Sequence, residues 1–327
     1  MVSPIDLSFA MNRRNFTTTL AFAAAGALLP KTPILSALLG HRLHRVHHST
    51  VVMGQVATAT LLHRDREVAR QTVNALFAEF RRLERLLSVY DPESEVAAIN
   101  KVAGKQSIPV SPDFLAIVEA ARRTSAASNG VLDITVEPLL RLWGFRQPSP
   151  RKPTDRQVQT ALESVGMEFL HCDGGEIGLL REGASVDLGG VAVGYALDQA
   201  SVILKNAGVS AALVEISGDY IAIGAPPDEP KGWEIGIVDP ANLDEVLRSV
   251  FLRDQALSTS GNYASTVVYE AVNYGHIFNP DTGKPAETIN SATVIAPTAT
   301  LADAWSTAVF VAGHQRQLPA DCLAIIV

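Results

Sequence analysis

The sequence predicts an α+β fold with mainly antiparallel sheets and packed helices. Apolar residues recur at helical spacing among charges from about 67 to 88, and three further segments have helical patterns. Runs rich in β-branched and apolar residues lie between and after these segments, and Gly and Pro separate them. Strands and helices do not alternate strictly along the chain, so a doubly wound parallel sheet is not expected.

Each element follows from a local signal. The amphipathic pattern gives the first long helix, and a Ser-Pro pair marks the start of the second. The expected helices cover 67–88, 112–128, 193–206 and 300–312. The expected strands cover 51–62, 211–217, 221–224, 234–238 and 291–296.

The composition indicates a globular protein and argues against nucleic-acid binding. The chain has 327 residues, of which 47% are hydrophobic and 19% charged, which is enough apolar material for a core. The net charge is −7, and no stretch interleaves basic with aromatic residues. Cys172 and Cys322 form neither a CxxC motif nor a zinc-site spacing, and a single disulfide between them stays open.

The first 30 residues are typical of an export signal. Arg13 and Arg14 stand in a twin-arginine pattern, and the Ala-rich segment 17–30 that follows carries no charge. That segment is shorter than the roughly 20 apolar residues of a membrane span. We therefore expect residues 1–30 to direct twin-arginine export to the periplasm. No clean cleavage motif follows, so a retained inner-membrane anchor stays open, and a buried N-terminal helix is the alternative.

Residues 31–50 are expected to link the signal to a domain over 51–327. Four of the eight histidines lie within 41–48. On a helix His41, His44 and His48 would share one face, which makes a metal site conceivable. A basic linker is favoured, because no nearby carboxylate or cysteine completes a ligand set.

A glycine-rich turn separates a predicted strand from the helix over 193–206. The segment from Asp187 to Gly190 lets the backbone approach a ligand closely, and the N–H groups of the helix start suit an anion such as a pyrophosphate. The glycine spacing is not GxGxxG, so a Rossmann dinucleotide site is not supported. A tight turn without ligand is the alternative.

Two further segments contain candidate metal-binding or catalytic residues. Asp303 and Thr307 are four residues apart and share one helix face, and a carboxylate with a hydroxyl suits Mg²⁺. The alternative is that Asp303 caps or bonds its own helix. His276 precedes a Pro/Gly-rich turn and could act as a general base or bind phosphate, or simply orient its loop.

Several short motifs occur in order between residue 51 and the C-terminus. They are Met53-Gly54, Leu87 to Tyr90 with Ser94-Glu95, Gly130 to Val136 with Leu142 to Phe145, Asp187 to Gly190, Ser217 to Asp219, Ser258 to Tyr263, His276 to Gly283, and Leu301 to Ala304. Each is modest alone. Their order and spacing resemble those of the ApbE family of FAD:protein FMN transferases.

The resemblance implies a T-fold-related domain that holds FAD between its N- and C-terminal parts. The residues that it places at the flavin or adenosine are Met53, Tyr90, Val131, Leu132, Asp133, Asp187, Val193 and Ile277. Val193 stands where the family commonly has Lys. The resemblance also assigns Mg²⁺ to the Gly190 carbonyl, Asp303 and Thr307. The acceptor hydroxyl must lose a proton, and our hypothesis is that His276 contributes to this step, so that His276 and Asp303 are the expected catalytic residues.

The implied activity is a Mg²⁺-dependent transfer of FMN from FAD. The FMN would join a Thr or Ser of an acceptor protein through a phosphoester bond, and AMP would leave. A membrane redox subunit is the expected acceptor. Two alternatives stay open: a Mg²⁺-dependent FAD pyrophosphatase that yields FMN and AMP, and a flavin-binding protein without catalysis.

Overall fold

The structure is a computed structural model that describes residues 43–146, 151–263, 265–315 and 317–327. The twin-arginine pattern, the Ala-rich segment and His41 lie outside these ranges. Within them, no helix is both long enough and apolar enough to cross a membrane.

Antiparallel pairing dominates the strands. In chain order they are β1 (His44–Val52), β2 (Gln55–His63), β3 (Ile108–Pro109), β4 (Leu170–Asp173), β5 (Glu176–Leu179), β6 (Ala211–Ile216), β7 (Asp219–Ile223), β8 (Trp233–Asp239), β9 (Asn242–Leu252), β10 (Ala256–Gly261), β11 (Thr266–Tyr269), β12 (Val272–Gly275), β13 (Phe278–Asn279), β14 (Lys284–Pro285), β15 (Ser291–Ala296) and β16 (Leu323–Ile326). A seven-stranded antiparallel sheet in the order β1-β2-β6-β7-β10-β15-β16 forms the main layer.

The α-helices match the sequence patterns closely. They are α1 (Arg66–Leu87), α2 (Glu95–Lys101), α3 (Pro112–Ala127), α4 (Glu137–Leu142), α5 (Asp155–Leu162), α6 (Ala192–Asn206) and α7 (Ala299–Ala312). All four predicted helices are present within about one residue of their expected ends. The α+β class with mainly antiparallel sheets is confirmed.

The first hairpin corrects two predictions. Residues 44–50, expected as linker, belong to β1, and the run 51–62 is not one strand because it turns at Met53 and Gly54. Both turn residues have positive φ, 53° and 68°, which is the backbone of a two-residue turn between antiparallel strands. β1 is the edge strand of the sheet, so its pairing with β2 satisfies one side of its backbone, and polar His and Arg side chains are common on such an edge.

Because β1 is a strand, His44 and His48 do not lie on a helix, and the helical arrangement on which a histidine metal site was considered is not present among the described residues. The ring of His48 packs edge-on against Phe77 of α1, with 5.3 Å between ring centroids. Among the residues described, no group of three or more His, Cys, Asp or Glu side chains could hold a metal ion.

The main core lies between one face of the seven-stranded sheet and the helices α1, α6 and α7. α1 packs on β1 and β2, α6 on β6 and β7, and α7 on β10 and β15. Phe77, Leu197 and Phe310 are buried there against sheet residues such as Val214 and Val294. These apolar faces fix the helices on the sheet, since each buried large side chain contributes about 1.5–3 kcal/mol.

The opposite face of the sheet is covered by the hairpin of β8 and β9. Trp233, Ile235 and Leu252 of this hairpin are buried against sheet residues such as Leu257 and Ile295. β15 is therefore buried on both faces, which accounts for its continuous apolar sequence.

A third cluster of aromatic side chains joins α4 to the strands β11 to β13. Trp143 lies within 5.2–6.3 Å of the rings of Tyr269, Tyr274 and Phe278, measured between centroids. The Trp143 indole N–H donates to the Gly283 carbonyl at 3.0 Å. This cluster holds the segment after α4 next to the loop that carries His276.

Candidate functional site

The start of α6 meets the middle of α7, and this contact brings Gly190, Asp303 and Thr307 together. A Cβ placed on Gly190 would lie 3.0 Å from Thr307 Oγ1. One turn earlier, Asp303 is 5% exposed, and its Oδ2 accepts a hydrogen bond from the Gly194 N–H at 2.9 Å. The hydroxyl of Thr307 thus borders the glycine turn, and the carboxylate of Asp303 borders the first turn of α6 that follows it.

Two features bring the helices this close. A Cβ on Gly194 would lie 2.3 Å from the Ala299 carbonyl oxygen, so only glycine fits at that crossing. Asp198 of α6 accepts the N–H groups of Ala299 and Thr300 at 2.8 and 2.9 Å, and the Thr300 hydroxyl at 2.5 Å. A carboxylate at a helix N-terminus stabilises the free donors there.

The N–H groups at the start of α6 do not form the free anion cradle expected from the sequence. Gly189 N–H donates to Asp187 Oδ1 at 2.8 Å, and Gly194 N–H to Asp303. The N–H groups of Val191 and Ala192 both donate to the Leu188 carbonyl. These four donors are therefore engaged within the protein, whereas no acceptor for the N–H groups of Gly190 and Val193 is among the hydrogen bonds described, so at most this part of the expected anion cradle is open.

Burial and acidic neighbours disfavour the charged form of the Asp303 carboxylate. Desolvation, then the nearby Asp219, raise the pKa of Asp303 well above its ordinary value. Asp219 opens β7 and has its own pKa raised to about 7, mainly by burial. A bound cation would offset both effects.

Buried hydroxyl groups line the side of α7 that faces β10. Ser306 Oγ lies 3.1 Å from Ser258 Oγ and 2.9 Å from Ser260 Oγ. Ser260 Oγ in turn lies 3.3 Å from Thr307 Oγ1. Asp219 accepts hydrogen bonds from the Ser258 hydroxyl and, at 3.2 Å, from the Thr259 N–H.

Arg146 connects two residues that the resemblance assigns to the flavin. Its guanidinium pairs with Asp187, donates to the Tyr90 hydroxyl at 2.6 Å and lies 5.0 Å from the centre of the Tyr90 ring. Glu137, which is 1% exposed, lies 3.6 Å from Arg146 Nε. The Tyr90 ring itself is 71% exposed and thus accessible to a ligand.

His276 lies close enough to Asp187 and Arg146 for both charges to act on its pKa. Desolvation is the largest influence and lowers that pKa, so the ring is neutral at pH 7. A backbone hydrogen bond to Ser265 engages the ring, while Nδ1 is buried and has no hydrogen-bond partner. A neutral ring with an unpartnered nitrogen can accept a proton or a hydrogen bond.

The segment from Val131 to Asp133 lies beside Asp187, because the Asp187 N–H donates to the Ile134 carbonyl at 2.8 Å. Asp133 accepts the N–H and the hydroxyl of Thr135 at 2.7 and 2.6 Å, and burial raises its pKa. Leu132 is 3% exposed and packs in the main core, so its side chain has little surface for a ligand.

The remaining assigned residues are spread around these clusters. Met53 lies in the β1–β2 turn at the same end of the sheet as Asp219 and Ser260, and its φ of 53° is uncommon for a residue with a side chain. Val193 and Ile277 are half-buried and pack against the main core. No contact between these three residues and Asp303 is among those described.

The sequence reasoning did not identify Arg146 or the serine cluster. Arg146 directly follows the Leu142 to Phe145 motif, and Ser306 directly precedes Thr307. Their position next to these motifs was the only signal in the sequence. The residues that Arg146 contacts lie 41 and 56 positions away along the chain, and those that Ser306 contacts lie 46 and 48 positions away. Such pairings are visible only in the folded chain.

Comparison with known proteins gives consistent matches. The sequence profile described as the ApbE family matches residues 53–320. A protein of Klebsiella pneumoniae named FAD:protein FMN transferase is 31% identical over 248 residues, which cover 71% of this chain and 69% of that protein. A protein of Salmonella typhimurium with the same name is 32% identical over 240 residues, covering 71% and 68%.

The solved structures agree with the sequence matches. The crystal structure of the ApbE protein from Thermotoga maritima superimposes with a TM-score of 0.81 at 30% identity, covering 87% of this chain and 94% of that one. The flavin transferase ApbE from Vibrio cholerae gives a TM-score of 0.78 at 26% identity, covering 87% and 94%. From its profile match, its relatives and its fold, this chain belongs to the ApbE family.

Proposed function

We propose that this chain is a Mg²⁺-dependent FAD:protein FMN transferase. It cleaves the FAD pyrophosphate, joins FMN to a Thr or Ser hydroxyl of an acceptor protein and releases AMP. The observation that carries the proposal is that Thr307 contacts Gly190 while Asp303, one helical turn away, contacts Gly194 in the first turn of α6. The names of the relatives from Klebsiella and Salmonella support the same activity.

The residues present fit a divalent cation. A carboxylate, a hydroxyl and a backbone carbonyl are oxygen donors, which Mg²⁺ prefers, and a small protein ligand set leaves positions for phosphate oxygens. Asp303 is buried beside Asp219, so its charged form requires a nearby positive charge. Asp303, Thr307 and the Gly190 carbonyl would hold the ion, and when bound it would neutralise charge that develops on the pyrophosphate.

Other residues of the chain are assigned to proton removal and to flavin binding. His276 is neutral at pH 7, and we assign to it the removal of the proton from the acceptor hydroxyl. Its unpartnered Nδ1 is buried, so this role requires that the nitrogen become accessible when the substrates bind. The accessible Tyr90 ring offers a stacking surface for an aromatic ring system, and Arg146 fixes its orientation. Asp187 is held by the same guanidinium beside the Gly190 turn.

One experiment separates the three functions considered. The protein is incubated with FAD, with or without Mg²⁺, and with the exported domain of a candidate membrane redox subunit. We expect AMP release that requires Mg²⁺, together with flavin fluorescence that stays on the acceptor after denaturation. Free FMN and AMP without a labelled acceptor would identify a pyrophosphatase, and intact bound FAD would identify a binding protein.

We also propose that residues 1–30 direct twin-arginine export, so that transfer takes place in the periplasm on a membrane redox subunit. The support is the sequence pattern at Arg13 and Arg14. Replacing both arginines by lysine should retain the protein in the cytoplasm. Unchanged export of this variant would refute the proposal.

A further inference from the structure

The hydroxyl groups of Ser306, Ser260 and Thr307 form a continuous row. The separations are 2.9 Å from Ser306 to Ser260 and 3.3 Å from Ser260 to Thr307. Ser306 is fully buried, and the other two are partly buried. Because each hydroxyl has one proton, the direction of donation along the row can be worked out from its fixed end.

The fixed end is the main-chain carbonyl of Asp303. The Ser306 hydroxyl lies 2.9 Å from this oxygen and donates to it, because a carbonyl can only accept. With this proton on the carbonyl, Ser306 can only accept from Ser260, so the Ser260 hydroxyl donates to Ser306. The proton of Ser258 goes to Asp219, so the 3.1 Å contact between Ser258 and Ser306 is one of two oxygens without a shared proton. The Ser260 oxygen is therefore free to accept, and the nearby proton is that of Thr307.

The internal acceptors of a helical threonine are the carbonyls three and four residues before it, which for Thr307 are those of Ala304 and Asp303. The two lone pairs of the Asp303 carbonyl receive the helical Thr307 N–H and the Ser306 hydroxyl, and no bond from the Thr307 hydroxyl to Ala304 is among the hydrogen bonds described. The partner described for the Thr307 hydroxyl is Ser260 Oγ, at 3.3 Å. This directs the proton of Thr307 towards β10.

We propose that Ser306 and Ser260 are positioning residues that aim the oxygen of Thr307 at the cation. A ligating hydroxyl presents its lone pairs to the metal, so its proton must point elsewhere, and the serine row receives it. The inference rests on the proposed function, because it assumes a cation between Asp303, Thr307 and the Gly190 turn. It adds two residues that act through Thr307 and are not among the ligands proposed for the cation.

The test is a titration with Mn²⁺, which substitutes for Mg²⁺ at oxygen sites and has a measurable EPR signal when free in water. The full chain is titrated with saturating ADP, whose pyrophosphate represents that of FAD, and Mn²⁺–ADP without protein is subtracted. Partners that orient a metal ligand typically contribute 10- to 100-fold to affinity. We expect Ser260→Ala to weaken Mn²⁺ binding by about tenfold or more, and Ser306→Ala to do the same.

Two variants exclude a merely structural effect. Thr259→Val removes a hydroxyl from the same strand, but this hydroxyl pairs with Thr293 at 2.9 Å on the other side of the sheet. Its Mn²⁺ affinity should equal that of the wild type. Ser260→Thr restores a hydroxyl at the critical place and should recover most of the affinity. Thermal unfolding without metal should be similar for Ser260→Ala and Ser260→Thr.

The outcomes distinguish the inference from the proposed function. Wild-type protein that binds no Mn²⁺, or binds it equally after Asp303→Ala, would overturn both. If the wild type binds and Asp303→Ala abolishes binding, equal affinity of Ser260→Ala and wild type would overturn the serine row alone. A loss in Thr259→Val as large as in Ser260→Ala would also overturn it.

Discussion

At the scale of single residues, the candidate site combines one pairing that the sequence could predict with several that it could not. Asp303 and Thr307 are four residues apart on a helix, and helical geometry alone puts them on one face. Arg146 has no such local rule, because Tyr90 and Asp187 reach it from distant parts of the chain. Charge complementarity that depends on the tertiary fold leaves no periodic signal in the sequence.

His276 gives a prediction about pH. Burial lowers its pKa below 6.5, so the neutral, proton-accepting form persists below that pH. With Mg²⁺ saturating, so that the metal-bound Asp303 is ionised, we expect kcat/KM for FMN transfer to be level above pH 6.5 and to fall only at lower pH. His276→Ala should lower the rate by about 100-fold or more, as is typical when a general base is lost.

The same group links pH to stability. The unfolded chain protonates His276 more readily than the folded chain, so the free energy of unfolding should decrease as pH falls below 6.5. His276→Ala should lack this contribution in urea titrations at several pH values. A wild-type transfer rate in His276→Ala would rule out the role as base.

Arg146 gives a prediction about flavin affinity. Arg146→Ala removes the partner of Asp187 and of the Tyr90 hydroxyl at once, so both side chains lose their fixed orientation. We expect the Kd for FAD, measured by flavin fluorescence without Mg²⁺, to rise about tenfold, which corresponds to about 1.4 kcal/mol.

Arg141→Ala is the matched control for Arg146. Arg141 also pairs with Glu137, at 3.2 Å, but its side chain is 67% exposed and contacts neither Asp187 nor Tyr90 among the interactions described. Its FAD affinity should stay at the wild-type value. Equal affinities of the two variants would show that Arg146 has no special part in binding.

At the scale of elements, the four long helices were predictable, whereas the short helices α2, α4 and α5 and part of the sheet were not. α1 and α7 have long apolar stripes and clear capping residues, Asp65 and Thr298. β1 contains His and Arg residues at exposed positions, so its sequence does not alternate clearly between apolar and polar residues. β9 was missed because a register shift near Ile237 and Val238 of its partner strand breaks the alternation.

The junction of α6 and α7 gives a prediction about stability. Asp198→Ala leaves the N–H groups of Ala299 and Thr300 without their carboxylate acceptor. We expect the free energy of unfolding, measured in urea, to fall by about 2 kcal/mol, since caps and charged hydrogen bonds each contribute about 1–3 kcal/mol.

The capping residue of the same helix serves as the comparison. Thr298 accepts one hydrogen bond, from the Leu301 N–H at 3.3 Å, and it is exposed. Thr298→Ala should therefore lower the free energy of unfolding by less, about 1 kcal/mol. The importance of Asp198 would be refuted if Thr298→Ala were the more destabilising change.

At the scale of the whole molecule, the sheet brings one end of several strands together. The β1–β2 turn, the β6–β7 turn and the end of β10 lie at the same side, because their strands are antiparallel neighbours. α6 and α7 then place the Gly190 turn and Thr307 above that side. The order of the motifs in the sequence indicated the family, but their meeting point follows from the strand order.

The central claim is that Gly190, Asp303 and Thr307 hold one divalent cation. Crystals grown with ADP and Mn²⁺ test it most directly through the anomalous scattering of the metal. A cation held by these residues would give one strong peak within about 2.5 Å of Asp303 Oδ1 or Oδ2, Thr307 Oγ1 and the Gly190 carbonyl oxygen. A fully occupied Mn²⁺ bound to ADP but coordinated by none of these three residues would contradict it.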